Sequence, residues 1–304
     1  MRRQRRRFKK RTIILGIILI YLFFLGFKNI FLSPEQKLLS PIISLGNILE
    51  EPKENSIKEA IELNFSQAKE DYGIYIKNLK TSKTFSYNEN ERFQTASLYK
   101  LWVMATAFDL IKNNQLDETE ALSAKVEDLN KKFDIASESA GLTEGEINTN
   151  VKLAIERMIT ISDNYSALIL TSRIGVSTIT NFLKENGLTN SKLGSPPKST
   201  ARDIALFYEK LYKGQIINEE FSKRMIDILK RQTLNDRIPK YLPDETEIAH
   251  KTGELGQAKH DAGIVFSANG DYIIVVLSEN GKPLETAENT ARFSKIVFDY
   301  FEKN

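Results

Sequence analysis

Among its 304 residues the chain has no cysteine. It can therefore form no disulfide and offers no thiol for a lipid anchor, neither of which an exported domain of this size requires. Histidine is almost as scarce: His250 and His260 are the only two. They are too few and too far apart for a zinc site by spacing, so both read as structural or rim residues, and no metal or other cofactor is expected. There is no glycine-rich phosphate loop, no internal repeat, and no low-complexity tract beyond the amino-terminal arm. The acidic pairs Glu144 with Glu146 and Glu219 with Glu220 read as solvated helix starts rather than as paired catalytic carboxylates.

Acid is also missing from the beginning of the chain, where nothing negative precedes Glu35. Eight of the 43 cations (Arg2, Arg3, Arg5, Arg6, Arg7, Lys9, Lys10 and Arg11) crowd into this arm, leaving 35 against 40 acids for the remainder. The formal charge of +3 is thus no argument for nucleic-acid binding. The arm runs into "TIILGIILIYLFFLGF", uncharged from Thr12 to Phe27, and then a further apolar "NIFLS". Taken as residues 12–32, this stretch is long enough to span a bilayer, for which about 20 residues suffice. A cleaved signal peptide is the alternative, but no small-x-small cleavage pattern follows. The arginines would hold residues 1–11 in the cytoplasm and put everything beyond residue 33 outside, as a single-pass cell-membrane protein.

Residues 33–55, with three prolines, read as a spacer. The folded unit is expected over 56–304; at 41% hydrophobic overall, the chain has the means for a proper core. "SIKEAIELNFSQAKE" has helical spacing, and "GIYIKNL" with "KTFSY" alternate as a hairpin about "KTS". From Ser97 to about Gly214 the pattern is almost all helical. Strands then return in "DAGIVFSANGDYIIVVLSEN", whose Asn269-Gly270 suits a type I′ turn, before a last helix, "AENTARFSKIVFDYFEKN". Strands at both ends around a helical middle imply one α+β domain: an antiparallel sheet assembled from both chain ends, flanked by helices, plus an all-helical lobe, with a site in the cleft between.

One residue disturbs the helical middle. "TASLYKLWVMATAF" reads as protein interior, yet Lys100 sits within it, and a buried ammonium without a partner is expensive. If Ser97 opens this helix, its hydroxyl lies at the positive dipole end with Lys100 three residues on, on the same face. A buried lysine has a lowered pKa and can take a serine's proton, giving a nucleophile that needs no histidine. The alternative is an N-cap serine beside a lysine that snorkels to solvent.

Two more motifs bear on that choice. "MITISDNYSALIL" puts Ser162, Asp163 and Asn164 in a break between apolar helical runs, and "IAHKTGELG" puts Lys251, Thr252 and Gly253 just before a strand. In the order S-x-x-K, S-D-N, K-T-G these residues resemble the serine β-lactamase and penicillin-binding protein superfamily. The resemblance covers roughly 56–304 and is closest to class A β-lactamases, which "ERFQTASLYK" and "NDRIPKYLP" also resemble. It implies that Ser97 is the acylated nucleophile and Lys100 its base or proton relay. Ser162 would pass the proton to the leaving nitrogen, and Asn164 would bond the substrate's amide side chain. Lys251 and Thr252 would hold the substrate carboxylate, with Gly253 completing the motif. The backbone N–H groups of Ser97 and Glu254 would form the oxyanion hole, the Glu254 side chain being incidental. Asp163 would brace the loop.

The resemblance fails at one place. Class A enzymes carry, between S-D-N and K-T-G, a loop glutamate that activates the deacylating water, whereas here neither Asp nor Glu occurs between Glu185 and Asp203. Asp203 fits a capping box with Thr200. The implied activity is a serine hydrolase that opens β-lactams through an acyl-enzyme and deacylates slowly. The alternatives are a D-Ala-D-Ala carboxypeptidase acting on peptidoglycan, or a receptor that stays acylated. A monomer is the default.

Overall fold

The computed structural model describes residues 55–303 apart from Gln67 and Lys69. The basic arm 1–11, the expected membrane segment 12–32 and all but the last residue of the spacer lie outside the described residues. Among the described residues no helix is long and apolar enough to cross a membrane.

The described chain opens with α1 (Asn55–Ile61), a π-turn (Glu62–Ser66) and the hairpin β1 (Asp71–Asn78) and β2 (Thr84–Tyr87). The last part contributes β7 (Ile248–Leu255), β8 (Ala258–Val265), β9 (Tyr272–Glu279) and α9 (Pro283–Lys303). The five strands form one antiparallel sheet in the order β2-β1-β9-β8-β7, closed by full-length pairing of β1 with β9 from Asp71 opposite Glu279 to Asn78 opposite Tyr272. β9 is buried from Tyr272 to Ser278, because successive side chains point to opposite faces of the sheet and both faces are covered. Tyr272, Ile274 and Val276 join α1 and α9 in one core, while Ile273, Val275 and Leu277 face the core that continues into the helices.

Between the sheet's two halves the chain builds β3 (Phe93–Gln94), a 3-10 turn (Ala96–Tyr99), α2 (Lys100–Lys112), β4 (Ala121–Lys125), α3 (Val126–Lys132), β5 (Glu146–Asn150), α4 (Val151–Thr160), α5 (Asn164–Ile174), α6 (Val176–Glu185), β6 (Lys198–Ser199), α7 (Ala201–Tyr212) and α8 (Glu219–Leu229). Every residue from Lys100 to Phe108 is buried, and α4, α5, α6 and α8 pack around α2. An all-round apolar helix belongs at the centre of its lobe, and this one is there. Side-chain caps set the neighbouring helix starts: Asn150 accepts from Leu153 N, Asp163 from Ser166 N, Thr200 from Asp203 N and Asn218 from Phe221 N.

Several local expectations are corrected. The middle is not almost all helical, because β4 pairs with β5 and β3 with β6. Glu146 therefore lies in a strand, accepting from Ser123 Oγ at 2.8 Å, rather than at a helix start. The β8–β9 connection is six residues long, and Asp271 Oδ1 takes Ser267 N inside it. Gly270 there has φ of 142° while Asn269 is not left-handed, so the two-residue type I′ turn is absent. Lys251, Thr252 and Gly253 lie within β7 rather than just before a strand.

That placement matters because β7 is the open edge of the sheet, and the 3-10 turn carrying Ser97 packs on it. Gly253 makes the approach possible. A Cβ there would stand 2.9 Å from Thr95 O, 3.0 Å from His260 Cδ2 and 3.3 Å from Leu98 Cγ. Gly253→Ala should accordingly lower stability by about 1–3 kcal/mol through overpacking, seen as a lower urea midpoint at unchanged slope. A midpoint equal to that of the parent would show that strand and turn are not held in contact.

Candidate active site

Ser97 is the second residue of the 3-10 turn, and the turn's first backbone bond runs from Leu98 N to Thr95 O at 2.9 Å. Its amide thus precedes the hydrogen-bond ladder, where N–H groups are free to bind a developing anion. The side chain is partly exposed, and among the described residues its hydroxyl makes no hydrogen bond. The preceding backbone is held from three sides. Glu279 Oε1 takes Gln94 N at 2.5 Å, His260 Nε2 donates to Gln94 O at 2.7 Å, and Pro197 O takes Thr95 N at 2.9 Å. Ala96, at φ of 44°, turns the chain into the helix.

Lys100 is fully buried, and its ammonium is satisfied across the α4–α5 break rather than by Ser97. It donates to Ser162 O at 2.7 Å, Asn164 Oδ1 at 2.8 Å and Ser162 Oγ at 3.2 Å. Three donors and three acceptors match, which is how a buried ammonium is tolerated. The acceptors converge because Ser162 adopts a left-handed φ of 57° and Asp163 caps α5, taking Ser166 N at 2.6 Å. Burial lowers the Lys100 pKa to about 7, Asp163 pulling the other way.

Lys251, also fully buried, reaches the same hydroxyl from the sheet side, donating to Ser162 Oγ at 3.0 Å and to Thr252 O at 2.9 Å. Burial and then the neighbouring Lys100 hold its pKa well below the ordinary value. The three motifs are thus joined: Lys100 and Lys251 both bond Ser162, and Ser97 stands one helical turn from Lys100. Asn164 is exposed, while Thr252 is only 1% exposed.

Other parts of the site were not legible as such. His250 and His260 are both buried rather than at a rim. His250 Nδ1 meets Asp261 Oδ1 at 2.9 Å, and Asp261 Oδ2 takes Ile238 N at 3.0 Å, tying β7 and β8 to the segment after Asn235. His260 accepts from Ser278 N at 3.0 Å on Nδ1 and donates through Nε2, so it is neutral; burial lowers its pKa to about 4. Arg237, inside "NDRIPKYLP", is the residue the motifs miss: its side chain is 0% exposed. It donates to Asp236 Oδ1 at 2.9 Å and His260 O at 3.1 Å, and its Nη2 pairs with Glu254 Oε1. The Glu254 side chain, expected to be incidental, therefore holds a buried cation and also Lys259, at 2.7 Å. Its carboxyl is raised by burial but lowered more by Lys259 and Arg237, and ends below the ordinary range.

The loop between α6 and α7 contains no carboxylate, and its two bordering acids are accounted for. Glu185 is exposed at the end of α6. Asp203 is 4% exposed, its Oδ2 taking both Asn190 N at 2.8 Å and Ser191 Oγ at 2.9 Å, and its Oδ1 taking Asn190 Nδ2 at 3.4 Å. Only half of the expected capping box forms. Thr200 Oγ1 caps Asp203 N at 3.1 Å, but the Asp203 carboxylate serves the loop instead of reaching back.

The sequence profile described as the Beta-lactamase enzyme family matches residues 53–301. β-Lactamase BRO-1 of Moraxella catarrhalis is 28% identical over 224 residues, 66% of this chain and 69% of that one. β-Lactamase 3 of Bacillus cereus is 26% identical over 248 residues, 75% and 76% of the two chains. Among solved structures, PBP-A superposes with a TM-score of 0.74 at 25% identity, covering 83% of this chain and 97% of that one. A PBP-A variant solved as its acyl-enzyme complex with penicillin G gives 0.72 at 25% identity, with 82% and 97% covered. A class A β-lactamase from Bacteroides cellulosilyticus shares the fold, with a TM-score of 0.70 at 20% identity over 84% and 99% of the chains. The match over nearly all the described residues, on a fold that brings the three motifs to one hydroxyl, makes this chain a serine hydrolase of the β-lactamase enzyme family.

Proposed function

We propose that the protein opens β-lactams by acyl transfer to Ser97 and releases the product slowly. The observation that carries this reading is the buried Lys100, satisfied by Ser162 and Asn164 one turn from an unbonded serine hydroxyl. Near neutral pH a substantial share of Lys100 is the free amine, which takes the Ser97 proton as Oγ attacks the lactam carbonyl. The C–N bond then breaks, and the proton reaches the leaving nitrogen through Ser162, which touches both lysines. The amides of Ser97 and Glu254 receive the oxyanion, Lys251 and Thr252 the substrate carboxylate, and Asn164 the amide side chain. A D-Ala-D-Ala carboxypeptidase would use the same steps. The likeness to PBP-A and the missing loop carboxylate favour it as the second reading; a receptor that is acylated once is the limiting case.

The composition of the first 55 residues supports residues 12–32 as an uncleaved anchor, residues 1–11 as a cytoplasmic arm and residues 33–55 as a spacer before an extracytoplasmic catalytic domain. Full-length protein should then sediment with membranes and resist carbonate extraction. A soluble form beginning after residue 32 would replace the anchor by a cleaved signal peptide.

A β-lactam should add to Ser97, as read by peptide mass spectrometry. Ser97→Ala should abolish the adduct, and Lys100→Ala should slow its formation by roughly 10²–10⁴. Because the working base is the deprotonated amine, the acylation rate should rise with pH through about 7 and level off above it. An adduct on another residue, or a rate falling through that range, would refute the assignment.

Deacylation should limit turnover. Hydrolysing the ester needs a water deprotonated beside the carbonyl, and Asp203, the buried acid at the loop's end, is already committed to the loop. A chromogenic β-lactam should give a burst of about one equivalent and then a slower steady phase, with acyl-enzyme in quenched samples. Rapid turnover without accumulation would mean that another base serves deacylation. A burst with no steady phase would indicate the receptor, and D-alanine released from a peptidoglycan-like peptide the carboxypeptidase.

A further inference from the structure

β3 leads the chain into Ser97, and a strand of two residues has little to hold it. One edge is paired: Phe93 stands opposite Ser199 and Gln94 opposite Lys198 of β6, and Thr95 N continues the contact to Pro197 O at 2.9 Å. Along an extended strand the N–H and C=O of successive residues point to opposite edges, so both backbone groups of Gln94 face away from the side on which Thr95 N bonds. Among the described residues no strand lies on that second edge. Two side chains take its place. Glu279 Oε1 accepts from Gln94 N at 2.5 Å, and His260 Nε2 donates to Gln94 O at 2.7 Å. They come from β9 and β8, adjacent strands of the main sheet. Gly73 of β1 seats the same segment, since a Cβ there would stand 2.6 Å from Phe93 Cε2.

Glu279 is half-buried and forms no ion pair among the described residues; the Gln94 amide is its one hydrogen bond there. Ser97 follows three residues later, reached through Ala96, whose φ of 44° an alanine keeps only where its surroundings hold it. We infer that Glu279 is a positioning residue for the nucleophile: by fixing the Gln94 amide it supplies, with His260, the missing edge of β3 and so holds the Ala96 turn that aims the Ser97 hydroxyl and amide. This rests on the reading of Ser97 as the acylated residue. A bond that served stability alone would leave the rate per folded molecule unchanged when removed. A displaced nucleophile instead slows the chemical step without weakening substrate binding.

The test separates binding from chemistry in the full chain. Formation of the Ser97 adduct is followed over a range of benzylpenicillin concentrations, which yields a dissociation constant and a limiting acylation rate. Glu279→Ala should lower the limiting rate by roughly ten- to a hundredfold while the dissociation constant stays within about threefold. Glu279→Asp, one methylene shorter, should fall in the same direction and keeps the test open should the alanine variant not fold. Glu279→Gln, which retains both the reach and an acceptor oxygen, should recover most of the rate. Hydrogen exchange over residues 93–99 should quicken in the Ala and Asp variants. A parental limiting rate in the folded variants, a loss confined to the dissociation constant, or a Gln variant as slow as the Ala one would each overturn the inference and leave the acyl-enzyme reading standing. If the parent chain itself gave no Ser97 adduct while exchange still quickened in the variants, the acyl-enzyme reading alone would fall.

Discussion

A buried ammonium must find its partners before anything else about this site can be arranged. Lys100 finds all three on one short break, Ser162 to Asn164, between two helices. Meeting that demand fixes the orientation of α4 and α5 against α2, requires the left-handed backbone at Ser162, and turns the Ser162 hydroxyl towards the sheet. Lys251 then closes the arrangement from β7. Helical lobe and sheet are coupled through that hydroxyl, and the sheet edge is drawn close enough to the Ser97 turn that only glycine fits at position 253.

Much of this was readable beforehand because two of the motifs carry a physical anomaly, a cation in an apolar helix and polar residues interrupting two apolar runs, while the third was legible only through the resemblance. The sheet from both chain ends was readable too, since alternating segments flank a helical middle. What escaped are pairings decided by distance in space. The Ser97–Lys100 spacing is real, but the lysine's bonds go elsewhere, because carbonyl and amide acceptors were available across the lobe. The β4–β5 pair hid in short polar strands with little apolar alternation, and Glu146 was misplaced with them. Arg237 was not singled out within "NDRIPKYLP"; only folding buries it against His260 O and two carboxylates.

The histidines show the same limit from the other side. Neither takes part in the proposed chemistry, yet both hold the frame: His260 joins Ser278 N to the backbone just before Ser97, and His250 orients Asp261 towards Ile238. Asp203 has a comparable place on the other flank, fixing the loop whose Pro197 carbonyl supports Thr95. The turn that carries Ser97 is thus braced by side chains already committed to structural hydrogen bonds. Pre-organisation of this kind lets an oxyanion site act without rearranging.

The remaining step concerns the proton. Ser162 Oγ lies within hydrogen-bond reach of two ammonium groups, and one hydroxyl cannot direct its own hydrogen at either while both lysines are charged. Burial makes the charged form of each lysine costly and Lys100 adds repulsion at Lys251, which is why both pKa values are lowered. Once one lysine is neutral, the Ser162 hydrogen can turn to its lone pair, and a continuous path runs from Lys100 through Ser162 to Lys251. On the proposed route the proton from Ser97 enters this path at Lys100 and leaves at the departing nitrogen. On that route the pair of lysines would do with one shared proton what a histidine-based triad does with an imidazole.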